Sequence, residues 1–487
     1  MRGTLHGAAA AVLAGASGSL LRKRKARSPV RAEAVAAAPP APPPLAGLPS
    51  ALAALLDDVP QLTPFAAVGC ALAGLAAAAA AAARSPRWPP TQAAAALLAA
   101  IGVATALLAR TMTLERAYAA RAAAVKELAD PDSRFATVLG VDAHYKAASP
   151  PDPATPIRFA IACYHGFGAG AFSWGAAVHP LADAASALVT QHDAPGFGLT
   201  ARPRALAPYG LGFNGRLGAA LRDLEAGKRG AGDGPPPLRV LMGHSLGAAS
   251  AAEQAVSDPG ACDALILVAP AIVAGFGRSD GQGPTGRAAR GLAALFAAAA
   301  ATLMLVTGSI GRLLILLASP IIVTALRGAV RSAAFWENGL AAAWAGRPPP
   351  PWLIQRYRAP ALLAGWEGGL LCFLLARVPL GPGPVAAARA ALAGAPATPA
   401  AALARAVSDA GLPVLIVHGD RDALVPYANS ARLAARLKGA VLARAAGRGH
   451  TPFEEAPAEF VGVVAAWLDG VEKGKREKEA EAGRGRG

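Results

Sequence analysis

The segment Gly243-His244-Ser245-Leu246-Gly247 constrains this chain more than any other. It follows an apolar run (Leu238, Val240, Leu241, Met242) and precedes the small-residue stretch Ala248 to Ala255. That pattern predicts a strand, a sharp turn and a helix. The turn crowds Ser245 into a strained backbone, and a side chain at Gly243 or Gly247 would collide with the neighbouring strand or helix. Ser245 Oγ is thereby lifted clear of the sheet, with a helix N-terminus aimed at it. In a chain with 54 glycines a lone match of this kind can equally be a structural turn, so the reading depends on what accompanies it.

Three further pieces follow in a fixed order. Ile157 to Tyr164 reads as a buried strand and runs into His165-Gly166-Phe167-Gly168-Ala169-Gly170. Val414 to Val417 reads as a strand and runs into His418-Gly419-Asp420-Arg421-Asp422-Ala423-Leu424-Val425-Pro426. Gly449-His450-Thr451-Pro452-Phe453 stands just ahead of a C-terminal helix. The order Ser, Asp, His along the chain is the one α/β-hydrolases use. With these motifs the sequence resembles the α/β-hydrolase fold-1 superfamily, in particular its plant and algal chloroplast members, over roughly Asp130 to Asp469. His192-Asp193-Ala194-Pro195-Gly196-Phe197-Gly198-Leu199-Thr200 resembles that family's D-x-P-G-x-G-x-S/T loop. Leu128 to Phe135 followed by Val141 to Tyr145 resembles its opening strand pair. The resemblance implies an α/β fold: a doubly wound, mainly parallel sheet with an inserted helical cap.

It also implies roles. Ser245 is the candidate nucleophile, and His450 would take its proton and return it to the leaving group. The family pattern His-Gly-x-x-Asp puts the carboxylate that orients the imidazole at Asp422. The oxyanion would be met by the backbone N–H groups of Leu246 and Phe167. Asp420 is the rival acid and reads as a turn residue. Asp193, at a strand end, reads as a turn-stabilising aspartate that could orient loops. His165 reads as a structural hydrogen-bonder, and His179, His192 and His418 as surface or satisfied core residues. His244 packs beside the nucleophile.

A serine at the elbow, where related folds that open epoxides or remove halides carry an aspartate, favours acyl chemistry. Esters, thioesters, amides and a retro-aldol-like C–C cleavage all remain open. The histidines lack metal-ligand spacing. Cys70, Cys163, Cys262 and Cys372 are far apart in apolar runs and read as reduced core residues. No glycine-rich phosphate loop is present, so no cofactor is expected.

At 487 residues the chain exceeds one hydrolase domain of about 250 to 300 residues. The formal charge of +16 raises the question of nucleic acid. However, Arg2, Arg22, Lys23, Arg24, Lys25 and Arg27 all precede the first acid, Glu33, and no aromatic-rich basic element accompanies the remaining charge. A nucleic-acid partner is not expected. Instead residues 1–32 read as an organelle transit peptide, Arg-rich and acid-free, addressed to the chloroplast, with the mitochondrion as the alternative. Residues 33–64 read as a Pro/Ala-rich linker. Within 65–109, two uncharged stretches, Phe65 to Ala83 and Ala93 to Ala109, flank a basic Pro/Trp turn and suit a transmembrane hairpin; alanine-rich soluble helices are the other reading. Residues 110–129 follow as an amphipathic linking helix.

The hydrolase core is expected over 130–270 and 412–470, with a cap or lid over 271–411. Gly291 to Gly311 and Leu313 to Leu326 carry no charge, and Pro320 interrupts the second run. They read as helices of an oily lid, with a third membrane span as the competing reading. The cap aromatics Trp336, Trp352, Tyr357 and Trp366 read as packing or as pocket lining. Ala226 to Pro237 and the charged tail 471–487 read as disordered. The expected activity is carboxylic ester hydrolysis on an apolar lipid- or pigment-like substrate by a membrane-associated enzyme. A catalytically silent binding or scaffold protein is the alternative.

Overall fold

The computed structural model describes residues 98, 102, 106, 122–229, 235–272, 287–381, 383–393 and 398–484. The expected transit peptide, the linker, nearly all of the hairpin and the start of the linking helix lie outside the described residues. Of the linking helix, one turn is described, α1 (Val125–Leu128).

Among the described residues eight strands form one sheet: β1 (Arg134–Val138), β2 (Val141–Ala148), β3 (Phe159–Tyr164), β4 (Ala187–His192), β5 (Leu238–His244), β6 (Ala264–Val268), β7 (Val414–Gly419) and β8 (Val441–Ala445). Their spatial order is β1-β2-β4-β3-β5-β6-β7-β8. The β1–β2 and β2–β4 pairs are antiparallel, and every later pair is parallel. The chain has the α/β-hydrolase fold. Strands β3, β4, β6 and β7 are buried along their whole length, as parallel strands covered on both faces must be.

Side-chain alternation assigns the two faces. Phe159, Ile161 and Cys163 of β3 point to one layer with Val240, Ile266 and Val417. That layer is closed by α2 (Gly175–Ala184) and α14 (Pro457–Arg484) through Leu181, Phe460 and Leu468. Ala162 and Tyr164 point to the other layer with Leu241, Leu267 and Ile416. It is closed by α3 (Leu211–Lys228), α4 (Leu246–Ser257), α11 (Pro399–Ala410) and α12 (Tyr427–Ala434).

The helix α11 corrects a boundary. The sequence assigned 271–411 to the cap, but Ala400, Leu403 and Val407 form an i, i+3, i+7 stripe that packs into the core. The cap proper comprises α5 (Arg287–Leu317), α6 (Ser319–Arg331), α7 (Ala333–Ala343), α8 (Pro351–Arg358), α9 (Trp366–Arg377) and α10 (Pro384–Leu392). Helix α5 stops at Leu317 because Pro320, in the first turn of α6, cannot continue it.

Two segments expected to be disordered are partly regular. Helix α3 continues through Lys228, into the expected loop, and α14 continues through Arg484 of the charged tail. The tail's Lys, Glu and Ala residues are good helix formers. Glu472 also ties the helix to Arg158 ahead of β3, and pairs with Arg476 one turn on.

Two glycine substitutions test this packing. A Cβ at Gly247 would lie 2.3 Å from Tyr164 O and 2.5 Å from His165 O, both fixed backbone. Gly247→Ala should therefore lower the unfolding free energy by about 3 kcal/mol. Gly462 in α14 has nothing within 4 Å of its Cβ position, and Gly462→Ala should raise stability by about 0.5–1 kcal/mol. Denaturant melts of both variants measure the two changes.

Candidate active site

Strand β5 carries the elbow to the C-terminal edge of the sheet, where open α/β sheets place their ligands. Ser245 sits between β5 and α4 with φ 52° and ψ −114°. Only tight packing sustains such a backbone at a residue other than glycine. A Cβ at Gly243 would meet Gly247 O at 2.4 Å and Ala248 Cα at 2.5 Å. The Ser245 N–H donates to Val268 O (2.9 Å), and Ser245 O accepts from the Ala248 and Ala271 N–H groups (3.2 and 3.0 Å).

The loop after β7 holds Asp422, and the loop after β8 holds His450. His450 Nδ1 lies 2.6 Å from Asp422 Oδ2. Asp422 Oδ1 accepts from the Leu424 and Val425 N–H groups at 2.8 and 2.9 Å. Burial raises the carboxyl, but hydrogen bonds from His418 and His450 and the charge they share outweigh it, and Asp422 is held well below the usual carboxylate range. As an ionised acceptor it requires the proton on His450 Nδ1, which leaves Nε2 as the basic nitrogen. Asp420 points elsewhere, to Arg444 and to the Gly447 N–H (2.7 Å).

His450 comes to the elbow through His244. His244 Nε2 donates to His450 O (3.0 Å), and the two rings lie 4.7 Å apart between centroids. Burial, then the neighbouring His450, pushes His244 well below the ordinary histidine range, so it is a neutral spacer. Among the described residues Ser245 Oγ makes no hydrogen bond to His450. Such contacts are often long without substrate and tighten in the reacting complex.

Two backbone donors lie at the same cleft. The Leu246 N–H opens α4 and the Phe167 N–H lies in the turn after β3; neither has an acceptor among the described residues. The Phe167 loop is fixed from below. His165 Nδ1 donates to Gly166 O (2.7 Å) and its Nε2 accepts from the Ala194 N–H (2.9 Å). Asp193 accepts from the Ala171 and Leu199 N–H groups (2.6 and 2.7 Å) and from His144 Nδ1 (2.7 Å).

Beside Leu246 and Phe167 opens a small cleft with Phe197, Tyr209 and Phe373 in its wall; Ser245 and His450 are not among the residues that line it. Phe167, Phe197 and Phe373 form a mutual cluster with centroids 4.8 to 5.8 Å apart. Arg377 covers the Phe373 ring at 4.1 Å and donates to Tyr209 O (2.9 Å). Of the cap aromatics, Trp336 and Tyr357 pack on each other and on the Phe167 loop, Trp366 is buried within the cap, and Trp352 is exposed.

Two contacts were not legible in the sequence. His418, read as a surface or satisfied core residue, is buried with Nε2 2.9 Å from both Asp422 Oδ2 and Val425 O, and Nδ1 2.6 Å from Ser430 Oγ. Both oxygens facing Nε2 are acceptors, so Nε2–H donates and His418 clamps Asp422 in place. Its position four residues before Asp422, inside His-Gly-x-x-Asp, was the available signal. Glu454, four residues after His450 in the short helix α13 (Pro452–Glu455), is half-buried against the cap. It accepts from Tyr357 Oη (3.1 Å) and Trp344 Nε1 (3.3 Å), while the His450 N–H donates to Ala343 O (2.5 Å). This seam joins the cap to the loop that carries His450.

Residues 160–367 match the family model described as Alpha/beta hydrolase family, and residues 385–473 match that described as TAP-like protein. A comparison with curated proteins gives no match. Among solved structures the chain is similar to a membrane phospholipase A described as a bacterial virulence factor, at 21% identity over 78% of this chain and 97% of that one, TM-score 0.45. It is also similar to the haloalkane dehalogenase DbeA from Bradyrhizobium elkani, at 21% identity over 70% and 99%, TM-score 0.45. The sheet and the two family matches support membership of the α/β-hydrolase superfamily and a hydrolase. None of these comparisons bears on the chloroplast resemblance.

The Glu454 seam makes a pH prediction. Burial pushes the Glu454 carboxyl up to about 7. An acid raised on folding contributes stability that is complete below its unfolded value and lost as pH climbs through the folded one. For Glu454 the loss runs from about pH 4.5 to about pH 7 and amounts to about 3 kcal/mol. The buried neutral histidines act in the opposite sense over part of this range, so the test is differential. Glu454→Gln should be more stable than the parent at pH 8 and lose that advantage near pH 4.5, as read by thermal melts of both proteins across the range.

Proposed function

We propose that the protein is a serine hydrolase that cleaves apolar carboxylic esters through Ser245, His450 and Asp422. The observation that carries the reading is the 2.6 Å pairing of His450 Nδ1 with Asp422 beside a serine held at φ 52° on the strand–helix elbow. Asp422 fixes the tautomer and stabilises the imidazolium that forms. His450 Nε2 takes the Ser245 proton as Oγ attacks the ester carbonyl. The oxyanion that forms is received by the N–H groups of Leu246 and Phe167, each worth on the order of 3 kcal/mol of barrier. Collapse of the intermediate expels the alcohol, which takes its proton from His450. Water then repeats the sequence on the acyl-enzyme, with His450 again as base.

The substrate class follows from the cleft wall. Phe167, Phe197 and Phe373 offer apolar faces to an acyl or aryl group next to the oxyanion donors. Residue Arg377, the nearby cation, is already engaged with Phe373 and Tyr209, and burial lowers it to about 10. An anionic substrate would have to compete for it, which favours a neutral ester. Delivery to a plastid and anchoring through 65–109 are part of the same proposal and rest on the sequence of residues outside those described.

Two measurements test this reading. Ser245→Ala should lower kcat/KM for a short activated ester by about 10³-fold or more and abolish labelling by a fluorophosphonate probe. Unchanged turnover would remove Ser245 from the mechanism, and a parent protein that neither turns over esters nor labels would favour the silent scaffold. Phe373→Ala should lower kcat/KM for a long-chain or aryl ester by about 10-fold relative to an acetate ester, the worth of a lost apolar contact. Equal losses on both esters would place the acyl group elsewhere.

A further inference from the structure

Helix α5 is built inside out. Over Ala294–Leu317 its mean hydropathy is 1.9, and only 11% of the most apolar stretch is buried. The residues it turns inward are small: Ala294, Ala301 and Gly308, spaced seven apart. A Cβ at Gly308 would lie 2.2 Å from Pro379 O, so the small seam is what lets α5 lie against the 378–381 segment and α10. The residues it turns outward are large and apolar: Phe296, Leu303, Val306, Ile310, Leu313 and Leu317 are each more than half exposed. A helix on the surface of a water-soluble protein shows the reverse arrangement. Small residues inside and large apolar ones outside are what hydrocarbon surroundings favour.

Its hydroxyls behave accordingly. Thr302 Oγ1 donates to Ala298 O (2.9 Å) and Thr307 Oγ1 to Leu303 O (2.7 Å), both one turn back in the same helix. These two hydroxyls are thus satisfied without water, as a lipid environment requires. Charge points the same way. Between Asp280 and Glu337 the chain has no acidic residue, whereas Arg287 and Arg290 open α5 and Arg312 lies near its end. That distribution complements anionic headgroups.

The topology decides between lying on a bilayer and crossing it. The chain leaves β6 at Val268 and returns through α6, which packs on α9 within the cap. The connecting piece 273–286 carries Arg278 and Asp280 and supplies no apolar return span. Both ends of α5 therefore stay on the side of the hydrolase core.

We propose that α5 is a membrane-docking helix that buries its outer face in the hydrocarbon edge of an anionic lipid bilayer without crossing it. This goes beyond the hydrolase reading and does not depend on it. The test uses the full chain with the photo-crosslinker p-benzoylphenylalanine placed singly at Leu303, at Ile310, or at Arg216, an exposed position of α3 on the core. Each protein is irradiated with vesicles of phosphatidylcholine and phosphatidylglycerol, and adducts are identified by mass spectrometry. The expected result is lipid adducts at Leu303 and Ile310 and none at Arg216. Adducts to a second copy of the chain, to residues 1–121 of the same chain, to lipid at all three positions, or to nothing would each overturn the proposal. Repeating the irradiation in a Ser245→Ala background should leave the adducts unchanged, so a failure of the hydrolase reading cannot be mistaken for a failure of this one.

Discussion

The close approach of α4 to the end of β3 is the constraint on which the site depends. Gly247 passes so near Tyr164 O and His165 O that no side chain fits between them. That contact lets the chain turn from strand to helix within one residue, and Ser245 absorbs the turn as a positive φ. Strain of this kind costs of order 1–3 kcal/mol. Three backbone hydrogen bonds to β6 and its following loop and to α4 hold it in place. Once the turn is made, the position of the Leu246 N–H, the direction of α4 and the near wall of the cleft all follow from it.

A second knot, around Asp193, sets the far wall. A Cβ at Gly198 would fall 1.9 Å from Asp193 Oδ2 and one at Gly170 2.7 Å from its Oδ1, so both loops close tightly on this carboxylate. Burial would raise Asp193, yet His144, His165 and the Ala171 N–H hold it well below the usual carboxylate range. The fully buried ion thus has acceptor sites matched by donors, which is the condition for keeping a charge inside. Through Ala171 and the His165–Ala194 bond it fixes both ends of the loop that presents the Phe167 N–H. Asp193 never meets the elbow, but the loop that carries the Phe167 N–H is held through it.

How much of this was legible in the sequence depended on how local the cause was. The elbow glycines, the strand runs at β3, β5 and β7, and the helix break at Pro320 follow from backbone geometry within a few residues, and the fold class followed from their order. Contacts made across the topology were not legible. His418 and Asp422 are only four apart, yet nothing local says that the imidazole turns toward the carboxylate. It does so because Ser430 of α12 and Val425 O fix its other contacts. Nothing in the sequence singles out Glu454; its place under the cap is set by Trp344 and Tyr357, about a hundred residues earlier. The core helix α11 was assigned to the cap because it lies between the strands ending at Val268 and opening at Val414, where this fold inserts its cap, and only the packing of Ala400, Leu403 and Val407 on the core distinguishes it.

Two aspartates, Asp193 and Asp422, pair with histidine among the described residues, and the comparison between them separates a candidate site from a brace. His144 has Nδ1 on Asp193 and Nε2 on Ser133 Oγ (2.8 Å), a sequence of groups chemically equal to a triad. Yet the same Ser133 Oγ accepts from the Asp130 N–H (3.0 Å), and none of these groups lines the cleft beside Leu246. Every polar atom there is spent on joining the opening hairpin to the Asp193 loop. Asp422 accepts four hydrogen bonds where Asp193 accepts three, but His450 Nε2 makes no hydrogen bond among the described residues, and the Leu246 N–H at the elbow and the Phe167 N–H in the turn after β3 have no acceptor there. The proposed ester hydrolysis needs that asymmetry: an acid saturated so that it cannot move, a base left with one nitrogen unspent, and donors kept empty for a charge that exists only during reaction.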